Sequence, residues 1–328
     1  MIPFKIIFLI ICLSVSFFIT LKTIDLLIKY GEKFGIVDHP DIRKKEFVPK
    51  VRVGGLALVT GYIYFLLVAY FFLIDKNHEV SPLINISIIC SLVIYLIGLI
   101  EDIFKISPFI RLFLHFLVAT IAFNNGLFVS FDIFGNSFDP YFLKILSYLF
   151  TCFWLVAGIN AMNWMDGLDG LASGISSILF MSLSAICFLK GLLPLAIISV
   201  ALGLSAFIFT LKNFYPAKIL MGDGGSYFLG FKLAAVSIML LNAIAPETSG
   251  INSIFKYYSP LLILILPYFD MIRVVLFRLS RGSTPFLPDR SHIHYKILDS
   301  GIKHKNVVIY LYFICVLTII PNLIFILI

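Results

Sequence analysis

Residues 83–102 read Leu83-Ile-Asn-Ile-Ser-Ile-Ile-Cys-Ser-Leu-Val-Ile-Tyr-Leu-Ile-Gly-Leu-Ile100-Glu101-Asp102. As a helix, such an apolar run spans a hydrocarbon core of about 30 Å, and it ends in two adjacent carboxylates at the membrane surface. Adjacent acids repel each other, and keeping both at that depth requires a cation or hydrogen bonds. The rest of the chain has the same character. Its 328 residues are 60% hydrophobic and 13% charged, with 34 Phe and a mean hydropathy of +1.04, against about 25% charged in globular proteins. The composition implies an all-α integral membrane protein, one domain over residues 1–328 without a sizeable soluble module.

Ten such runs are predicted, at residues 4–28, 54–74, 83–100, 111–131, 141–159, 171–189, 192–210, 227–244, 257–277 and 306–328. The first carries Lys5 ahead of its apolar stretch but no small-residue cleavage site, so it is read as a helix and not a signal peptide. Alternate joints, residues 29–53, 101–110, 160–170, 211–226 and 278–305, hold most of the Lys and Arg, seven of them in the first joint. The positive-inside rule puts this set in the cytoplasm and both termini outside. The net charge of +7 follows from these clusters, which suit anionic headgroups and substrates more than nucleic acid. Cys12, Cys90, Cys152, Cys187 and Cys315 are scattered through apolar segments, without metal or disulfide spacing.

The polar joints carry the chemistry. Asn160-Ala-Met-Asn163-Trp-Met-Asp166-Gly167-Leu-Asp169-Gly170 sets two carboxamides and two carboxylates at every third residue. On a straight helix these side chains drift around the barrel, so convergence requires a tightened turn or a helix end, for which Gly167 and Gly170 give the backbone freedom. Helix capping would explain one Asp but not the set of four. Asn213-Phe-Tyr-Pro216-Ala-Lys-Ile-Leu220-Met-Gly222-Asp223-Gly-Gly-Ser226 surrounds one Asp with glycines, and Ser226 is placed to cap the next helix. Such a loop can approach a phosphate closely, with Mg²⁺ between phosphate and carboxylate. A plain Gly-rich turn is the alternative. Arg43, Lys44 and Arg52 suit a bound phosphate, or the same positive-inside anchoring. Asp270 and Arg273 are spaced as a structural ion pair. His292 and His294 point together only on an extended loop; a zinc site would need further ligands, and anion binding with Arg290 fits better.

With these stretches in hand, the chain resembles the polyprenyl-phosphate N-acetylhexosamine-1-phosphate transferase family, which includes the WecA, WbpL and MraY enzymes. The resemblance rests on RKKEFVPKVRVGG, GLIEDIF, NAMNWMDGLDGLASG, NFYPAKILMGDGGS and PYFDMIRVVLFRLSRGSTPFLPDRSHIHYKI, in the family's order and over nearly the whole chain. The DRSHIH form and the lack of a His triplet resemble the WecA and WbpL branch. The resemblance implies transfer of an N-acetylhexosamine-1-phosphate from a UDP-sugar to undecaprenyl phosphate at the inner face of the bacterial cytoplasmic membrane, with UMP released. It implies Mg²⁺, or Mn²⁺, held by Asp102 and Asp223. Asp166, Asp169, Asn160, Asn163 and Asn213 would order metal and nucleotide, with Glu101 in an outer role. Arg290, His292 and His294 would take the other phosphate or the sugar. The partners implied are both substrates and the bilayer, without nucleic acid; a homodimer is compatible. Glu101, Glu46, His115, Tyr295 and Leu220 stand where the family usually has Asp, His, Gln, His and Phe, which leaves a divergent, weakly active paralogue as an alternative. An ion-coupled transporter, whose intramembrane acids would line a cation path, and a binding-only scaffold are the others.

Overall fold

The computed structural model describes residues 2–31, 33, 37–38, 50–73, 80–131, 138–244, 258–286 and 289–327. Among the described residues eleven α-helices follow one another: α1 (Ile2–Gly31), α2 (Gly55–Leu73), α3 (Val80–Phe104), α4 (Pro108–Asn124), α5 (Pro140–Met165), α6 (Leu171–Leu189), α7 (Leu193–Asn213), α8 (Gly222–Ala243), α9 (Ile265–Ser280), α10 (Ile293–Asp299) and α11 (His304–Leu327). A 3₁₀ turn, Ser259–Leu264, leads into α9, and β1 (Val37–Asp38) pairs antiparallel with β2 (Lys50–Val51). Among the described residues, eight helical segments are long and apolar enough to cross a membrane, and α2 and α4 contribute the shorter stretches Gly55–Val68 and Pro108–Asn124. Each of the ten apolar runs thus corresponds to one helix of a polytopic all-α bundle.

The bundle is organised around α8, whose apolar stretch is wholly buried. It packs against α3, α5 and α2, and glycines let the backbones touch. A Cβ on Gly98 would fall 2.5 Å from Gly224 Cα, one on Gly55 2.5 Å from Gly225 Cα, and one on Gly158 2.9 Å from Gly230 O. Small residues at crossings allow this close approach in membrane bundles, where packing replaces the hydrophobic drive. Side-chain hydrogen bonds tie the helices further: Trp154 Nε1 donates to Ser237 Oγ at 3.1 Å and Ser16 Oγ to Gly61 O at 2.7 Å. Outward-facing side chains such as Phe113, Leu149 and Phe153 are exposed, as a lipid-facing surface requires.

The sequence reading begins the eighth span at residue 227, whereas α8 begins at Gly222. The extra turn forms because a carboxylate from α3 receives its first backbone N–H groups, and Gly222 takes φ 76° to enter it. Ser226 therefore lies inside α8 and does not cap it.

Candidate active site

The described parts of the five joints on this side meet at one end of the bundle. Arg52 Nε lies 2.9 Å from Asp102 Oδ1, and its Nη2 lies 3.1 Å from Asp223 Oδ2. Lys50 Nζ is 3.3 Å from Asp169 Oδ2, Asn163 Nδ2 donates to Asp223 Oδ1 at 2.7 Å, and the Tyr295 hydroxyl donates to Gly167 O at 3.2 Å. Joints up to 171 positions apart are thereby locked together.

Two acids form the centre. Asp102, its side chain 3% exposed, accepts Asp223 N–H at 2.9 Å and Gly224 N–H at 3.1 Å. It acts as the N-terminal cap of α8, supplied by another helix, and its negative charge suits that end of the helix dipole. Asp223, on the first turn of α8, is more open at 16% and is oriented by Asn163, whose amide also donates to Ser226 Oγ at 3.1 Å. The same guanidinium touches both carboxylates, so they are near enough to share one cation, and an all-oxygen pair of this kind suits Mg²⁺. Glu101 turns aside: its Oε1 is 3.4 Å from Arg111 Nη1, and its buried Oε2 has no hydrogen-bond partner among the described residues.

The Asn160–Asp169 stretch separates as its glycines allow. Asn160 and Asn163 lie on α5, which ends at Met165; Asp166 follows as its C-cap, and Gly170 at φ 84° opens α6. Asn160 Nδ2 donates to Val156 O at 2.8 Å and stands 3.5 Å from His115 Nδ1. Asp169 is buried and also accepts Ala217 N–H at 2.8 Å, so it fixes the 214–221 segment. Asn213 is a buried pin: its Oδ1 accepts Gly170 N–H at 3.0 Å and Ser173 Oγ–H at 3.2 Å, while Nδ2 donates to Ile219 O at 2.8 Å. Half-buried Leu220 connects the start of α2 to β2 by backbone hydrogen bonds of 3.0 and 2.8 Å. Arg43 and Lys44 lie outside the described residues.

The last joint packs over this turn. Asp270 does pair with Arg273, at 2.6 Å, and it also holds His292 Nδ1 at 2.8 Å and accepts Ile293 N–H at 3.0 Å. With His294 these form a buried cluster whose ligating atoms lie within 4.8 Å of one another and which could hold a metal ion. This supplies the third ligand that the sequence does not reveal, from a residue 22 positions away. His294 is fully buried on Gly167, and neither ring nitrogen has a hydrogen-bond partner among the described residues. Burial, then the charge of His292, pushes its imidazole down to about 3. Arg290 pairs at the surface with Asp299, 2.5 Å away, and lies over the Tyr295 ring. Burial opposes the charge on Asp289, but hydrogen bonds from Arg278 and Ser291 outweigh it and hold this carboxyl well below the usual range.

Residues 84–241 match the family profile described as Glycosyl transferase family 4. The undecaprenyl-phosphate alpha-N-acetylglucosaminyl 1-phosphate transferase of Yersinia pestis is 32% identical over 285 residues, covering 85% of this chain and 73% of that one. The decaprenyl-phosphate N-acetylglucosaminephosphotransferase of Mycobacterium tuberculosis (strain CDC 1551 / Oshkosh) is 30% identical over 299 residues, 86% of this chain and 74% of that one. The chain belongs to glycosyl transferase family 4.

Within this family 4 chain, the matched span holds Asp102, Asn163, Asp169 and Asp223, and thus the centre of the site. Arg52 falls outside it and reaches the acids through the fold; Asp270 and the His292–His294 segment, also outside it, pack beside Trp164 and Gly167. Arg52's bridging position and Asp270's grip on His292 had no local signal. A basic residue in a polar joint, and an acid within an apolar run, were the only hints.

Proposed function

We propose that this chain transfers an N-acetylhexosamine-1-phosphate from a UDP-sugar to undecaprenyl or another polyprenyl phosphate, releasing UMP and starting a lipid-linked glycan of the cell envelope. It works in the bacterial cytoplasmic membrane with its joint face toward the cytoplasm and both termini outside. The named activities of its relatives support this reading, and the observation that carries it is the convergence of Asp102 and Asp223 on one cationic group. A transport site belongs near the bilayer midplane, whereas Asp102, Asp169 and Asp223 lie at helix ends or in a turn.

A lipid phosphate oxygen attacks the sugar-bearing phosphorus. The bond from that phosphorus to the bridging oxygen breaks, and UMP leaves with the electron pair. A phosphate monoester has a second pKa near 6, so the nucleophile is largely dianionic at neutral pH, and bringing two polyanions together is the harder task. Asp223 and Asp102 would hold Mg²⁺, which neutralises diphosphate charge when bound. Asn163 keeps Asp223 aimed, and Asp102 keeps the first turn of α8 in place. Arg52, which contacts both acids, would pair with the diphosphate oxygens at the same centre. His292, fixed by Asp270, and Arg290 contact the other phosphate or the sugar; Asp169 and Asn213 hold the turns that present these groups.

The experiment is transfer of radiolabelled sugar-1-phosphate to undecaprenyl phosphate, screened over several UDP-N-acetyl sugars with and without Mg²⁺. Metal-dependent UMP release with at least one of them is expected. Its absence with every sugar, in protein that is folded, would remove the proposal.

A further inference from the structure

Deep in the bundle, a buried lysine joins the three helices that carry the acid centre. Lys232 on α8 is wholly buried; its Nζ donates to Ser87 Oγ on α3 at 3.1 Å and lies over the Tyr62 ring of α2, 4.9 Å from the centroid. Among the described residues, no carboxylate pairs with it. Tyr62 in turn meets Phe228 of α8 edge to face, with centroids 5.7 Å apart. Lys232 lies about 12 Å along α8 from Gly224, and Ser87 about 16 Å along α3 from Gly98, the residue that faces Gly224. Against a hydrocarbon core of about 30 Å, this is close to the midplane. Ionisable side chains so deep are costly and mark function, since an apolar side chain of similar volume would pack there without burying a charge.

What the cation fixes follows from the helices it joins. α2 begins three residues after Arg52, α3 carries Asp102 and α8 carries Asp223. At the joint end these helices touch through Gly55, Gly98, Gly224 and Gly225, which permit close approach but offer no side chain to stop one helix from sliding along another. A slide of one helical turn, about 5.4 Å, would carry Ser87 away from the ammonium and leave that charge without its acceptor inside the bundle. The same slide would take Asp102 off the Asp223 and Gly224 N–H groups, which it accepts at 2.9 and 3.1 Å, and off Arg52. We propose that Lys232 is a positioning residue of the acid centre: through Ser87 and Tyr62 it sets the register of α3 and α2 on α8, and so the place of Asp102 and Arg52 beside Asp223. Its effect on transfer rests on the transferase reading, whereas the register is read from the backbone amides of α8.

The test is hydrogen exchange at the Asp223 and Gly224 amides of the purified full-length protein in detergent, with Tm and UMP release measured on the same samples. Lys232→Met replaces a buried charge by an apolar chain, so its Tm should hold or rise. Both amides should nevertheless exchange about tenfold faster, the scale of one hydrogen bond to a charged group, and UMP release should fall with them. Ser87→Ala keeps the charge but removes its acceptor, so it should lower Tm and speed the same amides. The double variant should recover the Tm of Lys232→Met and exchange no faster than that single variant, because the two side chains share one contact. Unchanged amides in Lys232→Met, an equal acceleration throughout α6 and α7, which carry none of the three side chains, or additive effects in the double variant would overturn the assignment. So would loosened amides with UMP release at the wild-type rate. Loosened amides in the variants together with no UMP release by the wild type sink the transferase reading alone; wild-type release with amides unchanged in Lys232→Met sinks the positioning role alone.

Discussion

Asp102 accepts the backbone N–H of Asp223 at 2.9 Å, although 121 positions separate them. The carboxylate that ends one apolar run therefore builds the first turn of the helix carrying the other acid. Asp102→Asn loses the charge and one acceptor, leaving a buried N–H of α8 unpaired. The expected cost is about 1–3 kcal/mol of stability, together with loss of transfer. Thermal unfolding in detergent checks it; unfolding that matches wild type would mean that α8 does not depend on this cap.

Gly98→Ala places a methyl group 2.5 Å from Gly224 Cα, a backbone atom that cannot rotate away. Overpacking of this kind typically costs about 1–3 kcal/mol, and here it also displaces the turn that holds Asp223. Gly203→Ala meets the flexible Met181 side chain at 3.0 Å and Phe180 Cβ at 3.3 Å, with no backbone atom so near, and is the milder control. The expected order in thermal unfolding and in transfer rate is wild type, then Gly203→Ala, then Gly98→Ala.

His294 is held neutral, its imidazole pushed down to about 3 by burial, against about 6.5 in an unfolded chain. Between these values the unfolded state binds a proton that the folded state does not, so stability rises with pH through this window and is complete above about 6.5. Acidification from pH 7.5 to 5 should lower the Tm of the wild type, and His294→Leu should flatten that dependence. Parallel pH slopes for the two proteins would show that the imidazole carries no such linkage.

Arg290 and Asp299 form an exposed pair at 2.5 Å. Exposed pairs contribute only about 0–1 kcal/mol, so Asp299→Ala should leave kcat nearly unchanged. Arg290→Ala removes a proposed phosphate contact and should lower kcat about tenfold, as for a charge-assisted hydrogen bond. Equal losses in the two variants would instead mark the pair as a support for the loop.

Much of the fold is legible in the sequence because membrane spans are written locally, as length and apolarity. The ten runs and their basic joints follow directly, and the grouping of joints on one face follows from charge asymmetry. The turn after Asn163 is signalled by Gly167 and Gly170. What pairwise contact decides is not legible. Asn213 has the composition of a ligand residue but is used up by Gly170, Ser173 and Ile219. Asp270 has the spacing of an ion pair with Arg273, and no local pattern marks its bond to His292. The early start of α8 depends on an acid from α3, and the glycine contacts that centre α8 depend on three other helices.

The most direct test of the central claim, that Asp223 and Asp102 serve one catalytic cation, is a Mg²⁺ titration of sugar-1-phosphate transfer. It compares wild type with Asp223→Asn, with folding verified by thermal unfolding. Asp223 is the more open of the two acids, bonded through its side chain to Asn163 and Arg52, so the variant should fold. Metal-dependent transfer by the wild type and none by the folded variant at any Mg²⁺ concentration is the expected result. Transfer by Asp223→Asn at near wild-type rate, with an unchanged Mg²⁺ requirement, would contradict it.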